Sequence, residues 1–328
     1  MRIAFCGKGG SGKSTLASLT ARALAAKGKQ VLVVDGDINQ HLGEALGFDE
    51  ETLRTQPKIG MDTKLFLETV KGKNPRISSV NAITESTPAG RGSGFLYMNT
   101  PSPVWDYYAR EKDGIRFMGV GSHSDEEVGT TCFHKFTGAF GTFLNHMIDQ
   151  QGEYLIGDMC AGADPFASSG LATRFDAVFL VVEPTLKSTG VYTQCKAYAK
   201  PFGTKIFVIA NKVETAEDEA FIRERIEPAD FLGVFAKSTY VRNMEKGIFS
   251  PISELETDNL AVLDRVIATT NALTRDWDLY QKNGLIFHEQ AAKSWANDLY
   301  GEDLMEQVDP EFSYADVMNP AHTTQKAA

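Results

Sequence analysis

The sequence predicts an α/β protein: a mostly parallel, twisted sheet with helices on both faces. Three observations carry that expectation. Arg2-Ile3-Ala4-Phe5-Cys6 is a short apolar run that leads straight into a glycine-rich loop, Gly7-Lys8-Gly9-Gly10-Ser11-Gly12-Lys13-Ser14-Thr15. Leu16, Leu19, Ala23 and Leu24 then recur at helical spacing, and Gly28 ends the helix. Gln30-Val31-Leu32-Val33-Val34 follows as an almost wholly apolar strand, the form taken by parallel strands buried on both faces. Strand, loop, helix and strand together make the opening unit of a parallel sheet.

The loop itself fits G-x-x-x-x-G-K-[ST], with Gly7 and Gly12 at the fixed glycines and Lys13-Ser14 closing it. Its glycines let the backbone turn N–H groups from Gly9 to Thr15 inward, where they can cradle phosphate oxygens. The helix beginning near Lys13 adds its positive end to the same spot. Lys13 is expected to reach the β- and γ-phosphates of a nucleotide, and the Ser14 hydroxyl to hold Mg²⁺.

Composition sets bounds on the rest. The chain has 328 residues, 42% of them hydrophobic, and a net charge of −10. That is enough chain for one large domain or two smaller ones. No apolar run reaches the roughly eighteen residues that would span a bilayer. The phosphate loop occupies the start of the chain, where a signal peptide would lie, so a cytoplasmic protein is expected. The acidic balance speaks against a broad nucleic-acid surface. Cys6, Cys132, Cys160 and Cys195 are scattered without a C-x-x-C pair, which fits a reducing compartment and gives no disulfide framework.

Further strands are expected at Ile115–Gly121, Tyr154–Gly162, Ala177–Pro184, Lys205–Val213 and Phe231–Phe235, with Phe95–Met98 as a weaker candidate. Helices are expected at about 136–148, from about Gly190, and at about 260–273. Acids stand at the carboxyl ends of two strands: Asp35 and Asp37 in one, Asp158 in another. Parallel sheets place their ligands there. Asp35 and Asp37 also suit a helix cap, and Asn211, at the end of a third strand, suits a plain turn.

The second lysine, Lys8, gives Lys-Gly-Gly-x-Gly-Lys-[ST]. This loop resembles the deviant Walker A motif of a branch of P-loop ATPases. The branch includes the nitrogenase iron protein, the plasmid-partition and septum-positioning ATPases, and the nickel-insertion ATPases that mature carbon monoxide dehydrogenase. The resemblance extends over roughly residues 1–273, and Asp-Met-Cys-Ala-Gly at 158–162 and Val-Val-Glu-Pro at 181–184 are most similar to the nickel-insertion group. It implies a slow ATPase that works as a homodimer with ATP between the subunits, Lys8 crossing to the partner's nucleotide. It implies that Asp37 lies near Mg²⁺ and positions water, that Asp158 helps hold Mg²⁺, and that Asn211 recognises adenine. It also implies a metallochaperone-like task, the maturation or activation of a client metalloenzyme.

The nickel-insertion group carries a Cys-x-Cys pair where this chain has Thr130 and Cys132, with His134 beyond. Two copies of Cys132 and His134 at a two-fold axis would suit nickel or zinc; a small buried cysteine at a helix start is the plain alternative. Two other functions belong to the same branch. One is a partition or positioning ATPase moving on DNA or membrane; the other is an iron-protein-like electron donor.

The expected organisation is an ATPase domain over 1–273, interrupted by a polar, turn-rich insertion at about 48–114, and a helical extension over 274–328. Trp105, Tyr107 and Tyr108 in the insertion read as local core. Ala291, Ala292, Trp295 and Leu299 read as one docked helical stripe. The end from Pro320 is expected to be disordered. The acids after Gly301 are the wrong sign for an anchor on anionic lipid.

Overall fold

The computed structural model describes residues 1–122, 134–168 and 170–318. An eight-stranded sheet forms its centre. In chain order the strands are β1 (Arg2–Gly7), β2 (Gln30–Gly36), β3 (Arg110–Lys112), β4 (Ile115–Gly119), β5 (Glu153–Met159), β6 (Ala177–Val182), β7 (Lys205–Asn211) and β8 (Phe231–Phe235). Their spatial order is β8-β7-β6-β1-β5-β2-β4-β3. All neighbours are parallel except β3, a short edge strand antiparallel to β4. After β1 the chain builds one side of the sheet, returns at β5, and crosses at β6 to build the other. That reversal opens a crevice at the carboxyl ends of the central strands.

Both faces of the sheet are covered, which is why its strands are apolar at successive positions. Ile3 and Phe5 face one side, with Leu16 and Leu19 of α1 (Lys13–Ala26) and a later helix over 257–271. Ala4 and Cys6 face the other. There they meet Phe136, Phe140 and Phe143 of α2 (His134–His146) and Tyr192 and Cys195 of α3 (Leu186–Ala199). The i, i+4, i+7 spacing of the three phenylalanines puts them on one stripe of α2. Met147-Ile148, expected as the last residues of that helix, instead pairs as a two-residue strand with Leu96-Tyr97.

Residues 48–114 are less of an appendage than their polarity suggests. Helices Lys64–Lys71 and Pro103–Tyr108 send Phe66, Val70, Val104, Trp105 and Tyr108 into the same core as Leu32 and Val34. Trp105 and Tyr108 are buried, whereas Tyr107 stays exposed and donates to Asp62.

After α4 (Thr257–Asn271) the chain forms α5 (Trp277–Ala291). Trp277 stacks on Tyr314, and the Tyr280 hydroxyl donates to the Leu144 carbonyl at 2.7 Å, docking this segment beneath α2. The expected stripe breaks at its end. Ala291 and Ala292 are buried, but Trp295 and Leu299 are exposed. The helix widens to a π-turn over Ala292–Ala296, which rotates the following residues and buries Ala296 instead. Thr130, Cys132, the His134 side chain and the end from Pro320 lie outside the described residues.

Candidate nucleotide site

β1 delivers the chain to the crevice, and the loop from Gly7 wraps there before α1 starts at Lys13. Gly12, the residue before α1, has φ +103°, and a β-carbon on it would stand 2.4 Å from the Asn211 amide nitrogen. Gly7 has φ +146°, with the Val181 carbonyl 2.5 Å from where its β-carbon would be. Side chains are therefore excluded at both fixed positions of the motif. α1 carries no side-chain cap at its N-terminus, so its first N–H groups point into the crevice.

A cleft of about 880 Å³ opens over the loop, lined by Gly9, Gly10, Lys13, Ser14, Asp37 and Asn211, among others. Ser11 is fully buried within the loop, and Thr15 also lines the cleft. Lys13 is almost fully buried, with its Nζ 3.7 Å from Asp37 Oδ2. Asp37 is fixed from its other oxygen, which accepts from the backbone N–H of Asn39 at 3.0 Å and the Asn39 side chain at 2.9 Å. Asp35 has the capping role its position allowed. It accepts from the backbone N–H groups of Asp37 and Leu42.

Asp35 and Asp158 are register partners on the adjacent strands β2 and β5, and both are completely buried. Burial pushes the Asp158 carboxyl up to about 7, even though the Ser14 hydroxyl and Lys13 favour its ionised form. Burial and the neighbouring Asp158 raise Asp35 well above the usual carboxylate range. Neither oxygen of Asp158 meets a well-directed hydrogen-bond donor. Unpaired buried carboxyl oxygens next to a serine hydroxyl are the donor set a hard, oxygen-loving cation selects, so the residues present fit Mg²⁺. Beyond Asp158, the Gly162 N–H donates to the Gly7 carbonyl at 2.9 Å and ties that segment to the loop. Among the described residues no group of three or more His, Cys, Asp and Glu is arranged to hold a metal by itself. Burial drives the Cys160 thiol up to about 12.

Lys8 and Asn211 occupy less obvious settings. The Asn211 amide donates to the Ser11 carbonyl at 2.8 Å and its oxygen accepts from the Lys212 N–H, so it braces the loop as it faces the cleft. Lys8 is 41% exposed and lies 3.6 Å from Glu183, which also pairs with Lys212 at 2.6 Å. Sequence reasoning gave no role to Asn39, Glu183 or Lys212. The only available signals were the Val-Val-Glu-Pro run and the place of Lys212 directly after Asn211.

Fold and cleft together define a P-loop nucleotide-binding protein. A match over residues 3–249 to the CbiA family, described as the CobQ/CobB/MinD/ParA nucleotide binding domain, shows that the chain belongs to that family. The carbon monoxide dehydrogenase accessory protein CooC of Rhodospirillum rubrum is 29% identical over 234 residues, 71% of this chain and 82% of that protein. An uncharacterized ATP-binding protein of Methanocaldococcus jannaschii is 27% identical over 235 residues, 71% and 87% of the two chains. Among solved structures, the cell division ATPase MinD of Pyrococcus furiosus superposes with a TM-score of 0.54 at 19% identity, covering 82% of this chain and 99% of that one. That likeness is one of fold. Among the described residues no helix is long and apolar enough to cross a membrane.

Proposed function

We propose that the protein is an ATP-binding, slowly hydrolysing switch that works as a homodimer and serves in the maturation or activation of a metalloenzyme. The observation that carries the ATPase reading is the juxtaposition of Lys13, Asp37 and Ser14 in the cleft over a loop built for phosphate, with the buried Asp158 beside Ser14. The accessory role rests on the similarity to CooC along 71% of the chain. Residues 1–273 are read as the ATPase unit and 274–328 as an extension, docked on it through Trp277, Tyr280 and Tyr314.

In this reading the loop N–H groups and the end of α1 hold the phosphates, and Lys13 neutralises charge developing on the transferred phosphoryl group. Bound Mg²⁺ would be held through Ser14 and Asp158 and would supply further charge neutralisation. Asp37, held by Asn39, orients water for attack. Lys8 reaches the nucleotide of the second subunit. Asn211 faces the cleft as the adenine-side residue.

Sedimentation of the protein with and without ATP and Mg²⁺, alongside phosphate release, tests the switch. Wild type is expected to dimerise with ATP, and Lys8→Ala to stay monomeric while still binding nucleotide. A Lys8→Ala protein that dimerises and hydrolyses ATP like wild type would overturn the sandwich. For the accessory role, metal content of reductively purified protein is decisive: about half an equivalent of nickel or zinc per subunit, lost in Cys132→Ala, is the expectation for a shared site.

A further inference from the structure

We infer that Glu183 is a holding site for Lys8, keeping that lysine beside its own loop until a second subunit presents a nucleotide. The inference rests on the sandwich reading of Lys8 and adds a residue and a resting position to it.

Glu183 follows β6 directly, and its side chain is only 11% exposed. Its two carboxylate oxygens serve two lysines. Oε1 is 2.6 Å from Lys212 Nζ, and Oε2 is 3.6 Å from Lys8 Nζ. The Glu183 backbone N–H donates to the Ser188 hydroxyl at 2.9 Å, which fixes the residue ahead of α3. Lys212 is the immobile arm. Although its side chain is 56% exposed, its ammonium is held at two points, donating to the Gly10 carbonyl at 2.6 Å as well as to Glu183 at 2.6 Å. Lys8 is the movable arm, since its 3.6 Å contact with Glu183 is a full ångström longer than that of Lys212.

The asymmetry matters because the carboxylate is largely buried. If Lys8 were its sole partner, the departure of Lys8 would strand a charge away from water, at a cost of several kcal/mol by the usual scale for such groups. With Lys212 in place, Glu183 stays paired and the loop carbonyl stays satisfied when Lys8 leaves. What is lost is one half-exposed ion pair, the weakest kind. The arrangement makes Lys8 cheap to release and gives it a defined place to return to.

The test is Glu183→Gln, which keeps the shape and removes the charge. Lys8 in the nucleotide-free protein is expected to be acetylated by acetic anhydride about two- to fivefold faster than in wild type, by peptide mass spectrometry, and ATP-driven dimers to form at about two- to fivefold lower protein concentration. Lys212→Met has the opposite expectation. Glu183 then pairs with Lys8 alone, so labelling slows and dimerisation weakens, a combination that a loosened loop would not give. Unchanged Lys8 labelling in both variants would overturn the holding site whatever the dimer does. Wild type that dimerises with ATP, beside a Glu183→Gln protein that dimerises no more readily, would overturn the holding role and leave the sandwich standing. Faster labelling in a protein whose wild type never dimerises would overturn the sandwich, and with it the role assigned to the resting lysine.

Discussion

The two ends of β1 both bury charge, and they treat it in opposite ways. At the amino end, Arg2 is fully buried and every direction of its guanidinium is answered. Nε donates to Asp149 at 2.8 Å, one terminal nitrogen donates to the Leu144 carbonyl and the Tyr280 hydroxyl, and the other to the Met147 carbonyl. Arg275 closes the cluster with ion pairs of 2.6 Å to Asp149 and 2.7 Å to Asp176. At the carboxyl end, Asp158 of the adjacent β5, opposite Phe5, is equally buried and lacks a well-directed donor, while Lys13 and Asp37 stand 3.7 Å apart. A completed polar network locks a fold; an incomplete one at a strand end is a site prepared for a charged ligand. The comparison predicts that substitutions at the first end damage stability and those at the second damage function.

The largest effect is expected at the closed end. Arg275→Met leaves Asp149 and Asp176 buried with one cation fewer between them, which should cost about 3–5 kcal/mol of stability. Urea unfolding reads this directly, and the nucleotide affinity of the folded fraction should stay as in wild type. An Arg275→Met protein of normal stability would mean that the network is not what holds α5 to the sheet.

Lys13→Ala should do the reverse. Removing a preorganised positive charge from the transferred phosphoryl group should lower hydrolysis by about 10²–10³-fold, the scale seen for deleting a single oxyanion donor. The urea midpoint without nucleotide should fall less than in Arg275→Met, because Asp37 keeps its hydrogen bonds from Asn39 when its 3.7 Å ion pair with Lys13 is lost. Asp158→Asn sharpens the same contrast. It replaces a costly buried acid with a neutral amide of equal shape, so the protein without Mg²⁺ should be as stable as wild type or more so. The thermal stabilisation given by Mg²⁺ with ATP should be lost. A large fall in nucleotide-free stability would show Asp158 to be structural.

How much of this was legible in the sequence follows from how far each feature reaches. The loop, with Lys13 and Ser14, is contiguous, and its glycines are demanded by local backbone geometry. The parallel strands show as apolar runs because both faces are covered. Asp37 and Asp158 could be placed because strand ends are where such sheets put their sites. The partners of these residues were not legible. Glu183 meets Lys8 across the sheet's crossover, and Arg2 meets Asp149 and Arg275 only after the whole fold is assembled, so no local pattern marks either. The insertion was misleading in a different way. Its prolines and glycines hide two short helices whose buried faces are too brief to show a period. The π-turn at Ala292–Ala296 broke a helical stripe that 3.6-residue counting had extended to Leu299.

Acid should separate the closed end of β1 from the rest of the fold. Although burial alone would raise the Asp149 carboxyl, Arg275, Arg2 and the N-terminal ammonium together hold it well below the usual carboxylate range. The folded protein therefore keeps this group ionised where the unfolded chain has begun to bind a proton. Its stabilising contribution is complete above about pH 4 and is lost as pH falls through lower values. Urea midpoints taken from pH 6 to pH 3 should fall steeply below about pH 4 in wild type and less steeply in Arg275→Met. Parallel slopes in the two proteins would show that Arg275 does not depress the acid.

The smallest expected effect concerns the acidic tail, which is not free of partners. Asp309 is paired with Arg91, its carboxylate accepting from Nε at 2.8 Å and from the Arg91 backbone N–H at 3.1 Å, and Arg91 also pairs with Glu311. Arg91 belongs to the glycine-rich run at 90–94, so the contact joins the insertion to the tail. The hydrogen bond from Arg91 holds the Asp309 carboxyl down at about 2, so the pairing persists throughout ordinary pH. Arg91 is itself more than half exposed, which places the pair among the weak, solvent-screened ones. Arg91→Ala should therefore leave the global urea midpoint nearly unchanged while amide exchange quickens by about two- to fivefold over residues 304–314. An unfolding transition shifted as far as that of Arg275→Met would place the tail inside the cooperative core, and the two kinds of buried charge at the ends of β1 would then have a third, more distant member.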